Sequence, residues 1–156
     1  MIKPLYALIA TGAVLSIMLS LLTMPAFGSQ VATPTVTAPP LDAEHTLFAG
    51  VLARVVKADG VDYAALRADH VDLDRYRVQL ARSTVPTAHA EKLVFYINAY
   101  NALTLALVVD QLPADQARWE RWSIKDAGST FTNVWKKFTF EVAGQWLSMD
   151  AIEHEI

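Results

Sequence analysis

The sequence predicts an α+β fold: a helical N-terminal half around a buried central helix, followed by a β-hairpin and a truncated C-terminal helix. Three observations predict it. Apolar residues recur at helical spacing over 47–56 and again at Leu73, Tyr76 and Leu80. Residues 92–109 form a helical run that is apolar almost all the way round, the mark of a buried helix. Lys137–Val142 (KFTFEV) alternates as a strand, and Ala143-Gly144 turns it into Gln145-Trp146-Leu147.

The ends and the composition bound the rest. Residues 1–28 read as a signal peptide, with Lys3 before an uncharged apolar run, Leu5–Leu22, and small residues at −3 and −1 of a cut before Ser29. The alternative is an uncut membrane anchor over residues 5–22, since about 18–20 apolar residues span a bilayer. Both place the body outside the cytoplasm, periplasmic or secreted. The chain has no cysteine, so it holds no disulfide, no thiol nucleophile and no cysteine for lipid attachment at a processed N-terminus. Losing Lys3 with the signal takes the net charge from −3 to −4. No basic stripe exists to neutralise phosphates, which argues against nucleic acid.

Residues 29–41 are a Pro/Thr/Ala linker, expected to be extended, and residues 42–156 form the domain. Asp42 is a candidate N-cap for a helix that carries Leu47, Phe48, Val51, Leu52, Val55 and Val56 up to the Asp59-Gly60 stop. Asp62 can cap a short helix, Ala64–Ala68. The helix around Leu73, Tyr76 and Leu80 ends before Pro86. The central helix runs from Thr87 or His89 to Asp110, where Leu112-Pro113 breaks it. Residues 114–134 are aromatic and irregular, and include Phe131. Ser148 is a good N-cap for a last helix, with Asp150 and Glu153 near its positive end. That helix stops at Ile156 after about two turns, which reads as an interrupted domain with an uncovered core and weak stability.

Two carboxamides, Asn98 and Asn101, share one face of the central helix. A buried amide without partners costs about 1–3 kcal/mol, so both are expected to be engaged. They either orient a substrate or an imidazole, or tie the helix to neighbouring loops. Tyr100 is expected in the core with a bonded hydroxyl. His154 is the best single candidate for proton transfer, because imidazole exchanges protons near neutral pH. A place in the first turns of the last helix would favour its neutral form. The plain alternative is a histidine held by a backbone carbonyl. Lys125 and Asp126 could meet an anionic ligand, or be ordinary loop groups, and Lys136-Lys137 could guard a strand edge. Trp119, Trp122, Trp135 and Trp146 could line a binding groove, though core packing accounts for them as well. His45, His70, His89 and His154 are scattered, with no metal-binding spacing, and no cofactor is implied.

Several segments resemble the domain of unknown function 547 family. They are Gly60-Val-Asp-Tyr-Ala-Ala-Leu66, Lys92-Leu-Val-Phe-Tyr-Ile-Asn-Ala-Tyr-Asn-Ala-Leu103, Ser123-Ile-Lys-Asp126, Trp135-Lys-Lys137 and, past Gly144, Leu147-Ser-Met-Asp-Ala-Ile-Glu-His154. The second is similar to the family's F-W-I-N-x-Y-N-A-L, with Tyr96 in place of Trp. The resemblance covers about residues 58–156. It implies a domain that continues beyond the I-E-H motif into a cysteine-bearing segment, and it implies no settled activity. Two functions follow. One is a binding or scaffold domain with an unknown small-molecule or protein partner, to which Tyr100, Lys125, Asp126 and Trp135 would contribute. The other is part of a hydrolase or acyltransferase of papain or transglutaminase type, with His154 and Asn98 or Asn101 serving a nucleophile from the absent part.

Overall fold

Asp42 opens the fold: its carboxylate accepts the Thr46 N–H and hydroxyl, each at 2.9 Å, and starts α1 (Thr46–Val55). The structure is a computed structural model and describes residues 38–128 and 133–156. The expected signal peptide, the linker up to residue 37 and Phe131 lie outside the described residues.

α1 ends one residue earlier than its apolar spacing predicts. Val56 leaves the helix for β1 (Val56–Lys57), paired antiparallel with β2 (Gly60–Val61), and is 50% exposed. Gly60 makes this possible with a φ of 150°, which side-chain-bearing residues rarely adopt. Asp62 caps α2 (Tyr63–Ala68) through the Ala65 N–H at 2.9 Å, as expected. α3 (Val71–Arg82) buries Leu73, Tyr76 and Leu80, again as expected.

α4 (His89–Gln111) is the central helix, and its 23 residues pack against α2, α3 and the last helix. It is not buried all round. Ala102–Val109 lie almost wholly inside, but Val94 is 46% and Ile97 39% exposed, and Asn101 is exposed too. The apolar composition hid an outward stripe at positions 94, 97 and 101, one helical face.

Beyond Pro113 come two 3₁₀ segments, Gln116–Arg121 and Ile124–Ala127, then the single turn α5 (Val134–Lys137). Asn133 caps that turn by accepting the Trp135 N–H. The strand predicted from Lys137 therefore starts two residues later, as β3 (Thr139–Val142). It pairs with β4 (Gln145–Ser148) through a turn in which Ala143 and Gly144 both have positive φ, 50° and 74°. Two-residue hairpin loops favour this conformation because it matches the strand twist.

The turn does a second job. The Ala143 N–H donates to the Leu80 carbonyl at 2.8 Å and the Gly144 N–H to the Ala81 carbonyl at 2.9 Å. The last turn of α3, whose carbonyls have no partner within the helix, is thus capped by the tip of a hairpin. Phe140 and Val142 on the same hairpin are buried, with β3 against α3.

Ser148 caps α6 (Met149–Glu153) through the Ala151 N–H at 3.1 Å. Glu153 closes this short helix instead of lying near its start. Met149 and Ile152 are fully buried, and α6 packs on α4, α5 and β4. The last helix and the hairpin are not bare, since α4 packs on α6 and α3 on β3, but the outer side of the hairpin stays open at Trp146, 69% exposed.

Candidate functional site

The polar residues predicted to carry chemistry lie on α4, the second 3₁₀ segment, α5 and α6. These four elements pack together: α4 against α6 and the 3₁₀ segment, and α5 against both of those. Asn98, Asp126 and His154, however, are each engaged locally. The Asn98 Nδ2 donates to the Val94 carbonyl on its own helix at 3.0 Å. Asn101 faces outward. Neither is buried against loop carbonyls, so the desolvation cost that seemed to demand partners does not arise.

His154 is the C-cap of α6, at the end opposite to the one predicted. Its Nδ1 lies 2.6 Å from the Asp150 carbonyl oxygen, one turn back, and its ring is exposed. No hydrogen bond joins His154 to Asn98 or Asn101 among the described residues. The structure brings their elements together without bringing these groups into contact.

Tyr100 is half-buried on the core, and burial raises its hydroxyl pKa, helped by the nearby Glu153 carboxylate. No bond of that hydroxyl occurs among the described residues, contrary to expectation. One turn on, the buried Thr104 Oγ1 also lacks a partner there. Asp126 accepts the Ser123 N–H at 2.8 Å and holds the 3₁₀ turn that carries the exposed Lys125. Trp135 packs against the core. The twin lysines do not guard an open edge: Lys137 donates to the Ala127 carbonyl at 2.8 Å, and Lys136 lies 3.6 Å from Asp150. Trp119 donates to the Pro113 carbonyl with the Arg67 guanidinium 5.5 Å from its ring centre, whereas Trp146 is 69% exposed. No group of three or more His, Asp or Glu residues placed to hold a metal occurs among the described residues.

The residues that sequence reasoning missed lie at the other end of α4. His45, 8% exposed, is held at φ 52° just before α1, and its Nδ1 meets the Tyr76 hydroxyl. Tyr76 stacks on Phe48 at 5.1 Å between ring centres. Burial lowers the pKa of the His45 imidazole below its ordinary value, the Asp42 carboxylate opposing only in part, and burial drives that of the Tyr76 phenol upward. Gln79, one turn along from Tyr76, is 2% exposed; its Nε2 donates to the Pro40 carbonyl at 2.9 Å while its Oε1 has no partner among the described residues. A cavity of about 790 Å³ opens beside these groups, lined also by Leu41, Arg82, Glu91 and Phe95. A signal was present: Gln79 falls on the same helical face as Leu73, Tyr76 and Leu80, an amide at an apolar position.

Compared with known families, residues 85–156 match the model of a protein of unknown function, DUF547. This segment is similar to that family. The match takes in the α4 asparagines and the α6 motif, and begins at Val85, so the Val61-Asp62-Tyr63 stretch lies before it. No curated protein and no solved structure matches the chain.

Proposed function

We propose that this chain is a non-catalytic binding or scaffold domain. The observation that carries the reading is the local engagement of His154, the proton-transfer candidate, and of Asn98, a candidate to orient it. Asn98 bonds the Val94 carbonyl and His154 the Asp150 carbonyl, each within its own helix. The Asp150 carbonyl orients the His154 ring, but no hydrogen bond joins that ring to Asn98, Asn101 or a nucleophile among the described residues. The exposed Val94, Ile97 and Asn101 stripe on α4 supports a contact role, being apolar with an uncharged polar member. The apolar segment Leu5–Leu22 supports an exported setting, periplasmic or secreted.

The test is hydrolysis of p-nitrophenyl acetate by the purified chain and by His154→Ala. Equal rates in the two proteins are expected. A rate that falls at least tenfold in His154→Ala would overturn the binding reading in favour of acyl-transfer chemistry.

A further inference from the structure

We infer that the cavity between residues 39–45, α3 and the start of α4 is a binding site for a small amphiphilic amine, an apolar body bearing an ammonium group. The inference goes beyond the binding reading by naming a site and a ligand class, and its test does not depend on the ester assay. The volume, about 790 Å³, suits a small organic molecule.

Its polar groups choose the ligand's chemistry. Gln79 is 2% exposed, and its amide orientation is set: the Pro40 carbonyl can only accept, so Nε2 must face it and Oε1 must face away. That leaves a buried acceptor with no donor among the described residues. A buried, unmet acceptor is costly; Oε1 has almost no accessible surface, so a ligand N–H would relieve it by drawing the Gln79 side chain towards the cavity.

Charge points the same way. The titratable groups on the lining are Asp42, His45, Arg82 and Glu91. His45 lies buried against the Tyr76 hydroxyl, and its depressed pKa keeps it neutral near pH 7. Two carboxylates then face one guanidinium, so the wall as a whole favours a cation. Asp42 is taken up by Thr46, whereas Glu91 and Arg82 make no ion pair among the described residues. The rest of the wall, including Leu41, Pro86 and Phe95, offers an apolar surface for the ligand body.

The probes are 1-naphthylmethylamine and, as a matched anion, 1-naphthylacetate, titrated calorimetrically into the full chain. Saturable one-site binding of the amine is expected, with the anion at least fivefold weaker. Glu91→Gln should weaken the amine about fivefold, the ratio that ~1 kcal/mol represents for an exposed charge pair. Ala90→Trp, an exposed position on the lining, should abolish binding by filling the space. Val94 of the α4 stripe also lines the cavity, whereas Ile97 does not, so Ile97→Ser should leave binding unchanged and report any probe sitting further along the stripe. Equal or tighter binding of the anion, full binding by Ala90→Trp, loss in Ile97→Ser, or no amine binding at millimolar concentration would each overturn the inference.

Discussion

Tyr76→Phe removes one oxygen from the core and leaves His45 Nδ1 facing a hydrocarbon edge. The cost should be about 1–3 kcal/mol, that of an abandoned buried partner, read as a lower urea midpoint. Asn98→Ala, by contrast, should change stability by less than about 0.5 kcal/mol, since an exposed bond to its own helix is easily replaced by water. His45 also sets a pH dependence. Its pKa in the folded state lies below the ordinary 6.5, because burial disfavours the charged ring. The unfolded chain therefore binds the proton first, and stability falls as pH drops below about 6.5 towards the folded value. Urea midpoints at pH 7.5 and 5.5 should differ more in the wild type than in His45→Asn, which keeps a residue tolerant of left-handed backbone. At this scale the sequence was legible for Leu73, Tyr76 and Leu80, whose spacing alone buries them. It was not legible for Asn98 and Asn101. Composition shows how apolar a helix is, but exposure depends on which neighbours the rest of the chain supplies.

Among the elements, the short ones depend most on their caps. Ser148→Ala should cost about 1 kcal/mol, because α6 has five residues and this hydroxyl meets one of its four free N–H groups. Ala143→Asn should stabilise the hairpin by a few tenths to about 1 kcal/mol, since Asn-Gly suits a turn with positive φ at both positions and Ala does not. Thermal midpoints of the two variants give both values. The hairpin itself was readable from the alternation of residues 139–142 and the Ala-Gly pair. The exit of Val56 from α1 was not, because a β1–β2 pairing of two residues per strand leaves almost no pattern. Lys137 was misread for a related reason: one turn capped by Asn133 looks, in sequence, like the approach to a strand.

At the scale of the molecule, the described residues are held together across the boundary of the family match. The segment matched to DUF547 starts at Val85, yet Phe140 and Val142 within it are buried beside α3, which precedes it. Residues 85–156 produced alone should fail to unfold cooperatively, because excision exposes that apolar surface and leaves the turn amides without Leu80 and Ala81. Residues 38–156 should unfold in one transition. Circular dichroism in urea distinguishes the two. No periodicity could show that residue 80 meets residue 143, since such closure belongs to tertiary packing. It has a consequence for isotope labelling. The tip of a hairpin ordinarily trades its amide hydrogens with solvent within seconds, but those of Ala143 and Gly144 are shut against the end of α3. In deuterium oxide these two should exchange as slowly as the α3 amides themselves, making a surface turn a reporter of when the core opens.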